Sequence, residues 1–187
     1  SINSTSAAAV TLRDVLIANG STCSITTLGN TTLSNCTLTN SLTFNSGSAN
    51  TFFMQSCTFL GGTISLTTNI TCLWRNVHLT GSNTNLVVNL GDNSILQNCS
   101  FYSGFNGGSL FNGLGTGCEF HNCSLIGTGS ATSMTAASAT TVIWRNTKSN
   151  KNLGSNIILD SDAAITTGSN YVTSAASETV QLYYASM

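Results

Sequence analysis

The sequence predicts an all-β fold, a single-stranded parallel β-solenoid of about seven coils with a C-terminal β tail. A six-residue motif recurs every 20 to 24 residues along the chain. Proline is absent from all 187 residues, so nothing interrupts long strand ladders, while 17 glycines remain for turns. Helical periodicity is weak throughout, and only Ser6 to Ile17 is compatible with a short helical cap.

The motif has a large apolar first position, a polar third position, a small fourth position and an apolar sixth position in all but the last unit. The fourth position forms a structural column, which comprises Val15, Cys36, Cys57, Val77, Cys99 and Cys123, with Thr147 in the seventh unit. Units of this length are too short for a strand–helix–strand crossover. Each unit therefore predicts one coil, with equivalent positions stacked about 4.8 Å apart.

The third position predicts a corner between two strands of each coil. Its corner column comprises Asp14, Asn35, Asn76, Asn98, Asn122 and Asn146, with Ser56 in the third unit. Asparagine suits such a bend because it tolerates left-handed backbone and its side chain hydrogen-bonds neighbouring backbone.

A second set of apolar residues follows each glycine-containing stretch and predicts the remaining wall of the solenoid. The set comprises Ile25 and Leu28, Leu42 and Phe44, Ile64 and Leu66, Leu86 and Val88, Leu110 and Phe111, Met134, and Ile157 and Leu159.

The recurring apolar, any residue, Asn, Cys or Val, any residue, apolar pattern resembles the right-handed parallel β-helix of the pectate-lyase-like superfamily. That superfamily also includes viral tailspikes and bacterial surface proteins. The resemblance covers roughly residues 10–160 and implies the architecture but hardly the activity. The opposite handedness stays open.

The seven cysteines do not predict a disulfide framework or a metal site. Valine replaces cysteine in the structural column, which indicates a small buried group, and stacked neighbours hold their Cβ atoms too far apart for a disulfide. Cys118, His121 and Cys123 are the only compact set of metal-ligand types, yet Cys118 and His121 should face opposite sides of a strand. We expect free thiols, no metal and no cofactor.

Enzymes of the resembled superfamily generally use clustered carboxylates, whereas the acids here are mostly isolated. Asp14 lies in the corner column, and Asp160 and Asp162 lie near the end of the solenoid without an obvious partner base. We therefore expect no enzymatic activity, with a polysaccharide lyase or hydrolase as the weaker alternative.

The second motif position predicts an outward stripe: Arg13, Ser34, Gln55, Arg75, Gln97, His121 and Arg145. Arg75, Gln97 and His121 should lie on consecutive coils, where planar hydrogen-bonding groups could bind a glycan or a neighbouring subunit. An ordinary solvated face explains the stripe equally. His78 is expected on another outward column, and Trp74 and Trp144 share the first position with leucine and phenylalanine, which indicates core packing.

Composition excludes several partners. Only 6% of residues are charged and the net charge is -1, so electrostatic binding of nucleic acid is not expected. No apolar run of 18 residues occurs, so membrane insertion is not expected either.

The chain divides into three predicted regions: an N-terminal cap or subunit contact over 1–11, the β-helix over 12–162 and a strand-forming tail over 163–187. The tail alternates β-branched and aromatic residues, with Tyr171, Val180, Leu182 and Tyr184 as the assembly residues. It is expected to fall outside the coil register and to pair along an edge or with a neighbouring molecule.

These features favour a non-enzymatic structural subunit located outside the cell, on a cell surface or on a virion. It would self-assemble into a fibre or spike, as a filament or a trimer, with adhesion to a host or cell surface as a further role. Low charge favours such self-association. A glycan-binding receptor module is the alternative.

Overall fold

The computed structural model describes residues 2–3, 7–18, 23–39, 41–46, 50–61, 63–81, 85–103, 109–127, 132–149, 156–161 and 180–182. These residues form strands and turns, without a helix. The strands are β1 (Ile2–Asn3), β2 (Val10–Arg13), β3 (Leu16–Ile17), β4 (Cys23–Thr27), β5 (Thr31–Ser34), β6 (Thr37–Leu38), β7 (Leu42–Ser46), β8 (Thr51–Phe59), β9 (Thr63–Gly81), β10 (Asn85–Leu90), β11 (Ile95–Gln97), β12 (Ser100–Ser103), β13 (Ser109–Asn112), β14 (Cys118–His121), β15 (Ser124–Gly127), β16 (Thr132–Met134), β17 (Thr140–Arg145), β18 (Lys148–Ser149), β19 (Ile157–Ser161) and β20 (Val180–Leu182).

The strands pair in parallel and stack as a β-solenoid, as the sequence predicts. One wall, sheet A, contains β1, β4, β7, the first part of β9, β10, β13 and β16. Sheet B contains the other strands and turns through the corner: β2, β5, β11, β14 and β17 precede it, β3, β6, β12, β15 and β18 follow it, and β8 and β9 run through it. Each coil thus contributes three strand segments around one interior.

The predicted alignment of the seven units matches the observed register of sheet B. In the first motif column, Leu12 pairs with Leu33, and the file continues through Met54, Trp74, Leu96, Phe120 and Trp144. Residues 20 to 24 positions apart therefore lie on successive levels of the solenoid. We number these levels 1 to 7 from the unit of Leu12 to the unit of Trp144.

The solenoid has about five turns, fewer than the seven coils expected. On level 1 the apolar side chains Val10, Leu12, Val15 and Ile17 are only partly buried, whereas on level 7 the inward Thr147 and Ser149 are buried. The apolar interior is therefore less enclosed at level 1 than at level 7.

All seven corner residues have left-handed backbone, with φ between 45° and 56°. Their amides also bond along the stack, since Asn35 donates to Oδ1 of Asp14 at 3.1 Å and Asn122 donates to Oδ1 of Asn98 at 3.1 Å. An L residue in this conformation costs about 1–2 kcal/mol, least for asparagine and aspartate. This explains the composition of the column.

Aromatic rings form a continuous spine through the core. Phe44 and Phe52 stack with centroids 4.6 Å apart, and contacts of 5.2 to 6.2 Å join the remaining rings. The other members are Trp74, Phe101, Phe111, Phe120 and Trp144. Trp74 and Trp144 lie in the core, as predicted.

A further corner, between sheets A and B, brings backbone into close contact at two stacked glycines. A Cβ on Gly91 would lie 2.7 Å from the carbonyl carbon of Ile70, and one on Gly115 would lie 2.5 Å from the backbone nitrogen of Asp92. Real Cβ atoms essentially never approach that closely, so only glycine fits at these positions.

Several expectations about individual segments are wrong. A helical cap over Ser6 to Ile17 does not form, because Val10–Arg13 and Leu16–Ile17 are strands. Leu28 is 47% exposed and lies outside the core. Ile157 and Leu159 are buried, but they pair with β17 in sheet B and do not continue sheet A. The side chains of Leu86 and Leu110 lie outside the described part of the structure.

The C-terminal tail pairs along an edge, which is one of its two expected contacts, but its register differs from expectation. Val180–Leu182 pairs in parallel with Leu159–Ser161 and so joins the coil register that the tail was expected to leave. This pairing is possible because β19 presents a free ladder edge of sheet B above β17. Tyr171 and Tyr184 lie outside the described residues. No described helix has the length and apolar character needed to cross a membrane.

Candidate functional site

The predicted outward stripe is one of two parallel columns on the outer face of the strands that precede the corner. This arginine column comprises Arg13, Ser34, Gln55, Arg75, Gln97, His121 and Arg145, one residue on each level. All are exposed or half-buried. Arg75, Gln97 and His121 occupy levels 4, 5 and 6, consecutive as expected, and all three arginines of the chain lie in this column.

The second column, which sequence reasoning missed, lies two residues earlier on each strand and faces the same way. This outer apolar column comprises Thr11, Thr32, Phe53, Leu73, Ile95, Glu119 and Ile143. Phe53 is 38% and Ile95 39% exposed. Strand alternation places residues i and i+2 on one face, and this is the signal that could have found the column.

The two columns enclose a shallow groove of about 530 Å³ along levels 1 to 5. Phe53, Leu73 and Ile95 supply its apolar side, and Gln55, Arg75 and Gln97 supply its polar side. Arg13 also lines the groove at the N-terminal end. The arrangement combines hydrogen-bond donors, acceptors and two guanidinium groups with an exposed apolar strip.

Charge is unevenly distributed along this face. Arg13 and Arg75 line the groove, whereas the carboxylates of the two columns lie beyond it: Glu119 on level 6, and Asp160 next to Ile143 on the following rung. Levels 1 to 5 of the face therefore carry two arginines and no acid, whereas the opposite end carries both acids together with His121 and Arg145.

The acids on this face are engaged with neighbours. Oε2 of Glu119 lies 2.7 Å from Nε2 of His121, and Asp160 accepts a 2.9 Å hydrogen bond from Nη1 of Arg145, which also bonds the Asp160 carbonyl at 2.8 Å. Asp160 thus has a cationic partner, although a guanidinium stays protonated and cannot act as a catalytic base. Sequence reasoning could not find Arg145, because it lies only 15 positions before Asp160, a separation shorter than the repeat.

The remaining described acids have structural partners. Asp14 accepts from Asn35, and Asp92 accepts from the backbone nitrogen of Thr116 at 2.7 Å and from its hydroxyl at 3.1 Å. Asp162 lies outside the described residues. Within the described ranges, no three His, Cys, Asp or Glu residues gather as metal ligands, and Cys118 is buried whereas His121 faces out.

The four cysteines of the structural column are free thiols, as predicted, and each has a hydrogen-bonding role that the sequence did not reveal. Sγ of Cys57 contacts the carbonyl of Gln55 at 3.4 Å and that of Leu33 at 3.5 Å, and Cys123 repeats this geometry. In the last unit Thr147 replaces the cysteine, and its Oγ1 donates to the carbonyl of Arg145 at 3.0 Å and to that of Phe120 at 3.1 Å. The column thus supplies small donors to carbonyls at the corner.

A second set of buried thiols lies in sheet B before the corner. Cys72 and Cys118 occupy the same inward column with Ser94 between them, and the Ser94 hydroxyl accepts a 2.9 Å hydrogen bond from the backbone nitrogen of Cys72. Burial raises the pKa of the Cys118 thiol to about 11 and that of Cys72 well above its usual value. Buried thiols with raised pKa values are poor nucleophiles.

His78 faces outward as predicted, on the strands that follow the corner, and its Nδ1 lies 2.8 Å from Oγ of Ser100 one level on. The neighbouring residues in this outward column are Leu16, Thr37, Thr58, Ser124 and Lys148.

Comparison of the chain with protein-family profiles, curated proteins and solved structures finds no match.

Proposed function

We propose that this protein is a non-enzymatic structural subunit that self-assembles into an extracellular fibre or virion spike. The observation that carries the proposal is the one-sided pairing of the described strands at both ends of the stack. Among the described strands, β2 and β3 at one end, and β18 and β20 at the other, each pair on one side only.

The N-terminal end adds an apolar surface to this open edge. Val10, Leu12, Val15 and Ile17 pack against the core, yet all four remain only partly buried. Unpaired strand edges beside apolar side chains are templates for pairing with another chain. With 6% charged residues, little electrostatic repulsion opposes that contact.

The motif resemblance to the right-handed β-helix of the pectate-lyase-like superfamily, with its tailspikes and surface proteins, agrees with such a role. The four described carboxylates are each engaged in a turn, a cap or an ion pair. This supports a structural role over polysaccharide cleavage, which generally requires a paired acid and base.

Sedimentation and electron microscopy of the purified protein over a range of concentrations test the proposal. We expect ordered oligomers or filaments that grow with concentration. A protein that stays monomeric at high concentration would contradict it.

A second candidate function, glycan binding, is favoured by the groove on the outer face. The apolar side of a sugar ring could lie on Phe53, while Arg75 and Gln97 bond its hydroxyl groups. A glycan array tests this function with Arg75→Ala, and with Lys148→Ala as a control outside the groove. Binding that Arg75→Ala leaves unchanged would exclude the groove.

A further inference from the structure

We infer that the face formed by the arginine column and the outer apolar column is a self-complementary interface, which binds the same face of a second copy in antiparallel orientation. The inference rests on the proposed self-assembly and names the surface and geometry of one contact. It follows from the order of charge along the face and the position of the apolar strip.

The charges are arranged so that the face complements itself when it is reversed. Arg13 lies on level 1 and Glu119 on level 6, so five levels, or about 24 Å, separate them. The groove between them has Arg13 and Arg75 but no carboxylate in its lining. Reversing the face therefore brings Arg13 of one copy to the level of Glu119 and His121 in the other.

A two-fold axis lying in the face, parallel to the strands and midway between levels 3 and 4, produces this arrangement. It places level 1 opposite level 6 and keeps each column opposite its own copy. Arg13 then meets the Glu119–His121 pair of the second copy, and the same contact forms again on the other side of the axis.

The same axis matches the apolar strip. Phe53 on level 3 lies opposite Leu73 of the second copy, and Ile95 on level 5 lies opposite Thr32. Gln55 lies opposite Arg75, which gives a hydrogen-bonding pair without two like charges. The Phe53 and Leu73 side chains thus lie at the centre, where burial contributes most to binding, and Ile95 lies further out.

Parallel association of this face would leave Arg13 without an acidic partner. An axis along the solenoid places equal levels opposite one another, so Arg13 would meet Thr11 or another Arg13 and would not meet an acid. Like charges placed opposite each other repel and so disfavour the parallel arrangement. The geometry therefore points to a bipolar pair whose two exposed ends are identical.

Charge exchange in the full-length protein tests the inference. Arg13→Glu and Glu119→Arg each place like charges at both symmetric contacts, and each should raise the dimer dissociation constant at least about tenfold in sedimentation. An equimolar mixture of the two variants restores an opposite-charge pair at both contacts. It should therefore recover heterodimers with nearly the wild-type constant.

Two controls separate this result from misfolding. Lys148→Glu changes a charge outside both columns and should leave the constant unchanged. Far-ultraviolet circular dichroism and the thermal midpoint of each variant should match the wild type, because Arg13 is exposed and Glu119 half-exposed.

The outcomes distinguish this inference from the proposed function. The antiparallel face is wrong if oligomers form and neither variant changes the dissociation constant, or if the mixture does not recover heterodimers. Either result leaves the proposed self-assembly intact. A wild-type protein that stays monomeric overturns both the antiparallel face and the proposed self-assembly.

Discussion

Asn146 donates its side-chain amide to Oδ1 of Asn122 at 2.8 Å, and both residues have left-handed backbone, with φ of 45° and 52°. The corners at Asn35, Asn122 and Asn146 therefore combine two stabilising features, a residue that tolerates the bend and an amide that bonds the adjacent level. This relationship explains why asparagine recurs at intervals of 20 to 24 residues.

Asn122→Ala should destabilise the protein, because Asn122 both donates to Asn98 and accepts from Asn146. Lost hydrogen bonds and left-handed strain together cost about 2–4 kcal/mol. Asn122→Gly removes the same bonds without the strain and should cost about 1–2 kcal/mol less than alanine. Urea unfolding of both variants measures the difference, and equal losses would contradict the role of the bend.

Gly115→Ala should destabilise the corner between the two sheets. The added Cβ would lie 2.5 Å from the Asp92 nitrogen and 2.7 Å from the Gly91 carbonyl carbon, both backbone atoms that cannot turn aside. We expect a loss of about 1–3 kcal/mol from overpacking. Gly61→Ala is the matched control, since its nearest contact is an ordinary 3.6 Å, and its thermal midpoint should change little. Similar midpoints for the two variants would refute the close approach.

Two tryptophans in one column should respond differently to replacement by phenylalanine. The indole nitrogen of Trp74 is buried and has no hydrogen-bond partner among the described residues, whereas that of Trp144 donates to the carbonyl of Thr147. Trp74→Phe removes an unsatisfied group and should destabilise by about 1–2 kcal/mol less than Trp144→Phe. Denaturant unfolding compares the variants, and the reverse order would show that ring volume outweighs hydrogen bonding.

Alkaline pH should weaken the fold through its buried thiols. Burial raises the pKa of Cys118 to about 11, so the folded state keeps a proton that the unfolded chain releases near pH 9. The stabilising contribution of the protonated Cys118 thiol to the free energy of unfolding is fully present below about pH 9. It falls by about 1.4 kcal/mol per pH unit between about pH 9 and about pH 11. Unfolding free energies across pH 7 to 11 measure this slope.

Cys118→Val is the control for the alkaline loss, because Val142 occupies the same column one level on. The variant should lose less stability than the wild type as pH rises above about 9. If the unfolding free energies of the variant and the wild type fall equally steeply with pH, Cys118 does not contribute to the alkaline loss.

Sequence reasoning predicted the stacked levels well and the ends poorly. The columns of Asn122 and Cys123 were readable because every coil places the same physical demand on them. The sequence could not assign Ile157 to sheet B, because a buried strand residue has the same apolar character in either sheet. Leu28 was misplaced because an apolar residue next to a turn gives no sign of which side it faces.

The candidate site was only partly predictable for a related reason. The arginine column follows directly from the repeat, but Phe53, Leu73 and Ile95 vary in type from level to level and form a strip only once the strands are stacked. The ion pair of Arg145 with Asp160 depends on a rung that does not keep the repeat length.

The distance between Leu16 and Lys148 tests the stacked register most directly. Both side chains are exposed, 132 positions apart in sequence, and six levels apart in one outward column away from the proposed interface. Spin labels on Leu16→Cys and Lys148→Cys, with the labelled wild type as a check on the buried thiols, should give a narrow distribution near about 29 Å in pulsed electron resonance. A broad distribution, or a narrow one centred more than about 10 Å away from that distance, would contradict the solenoid.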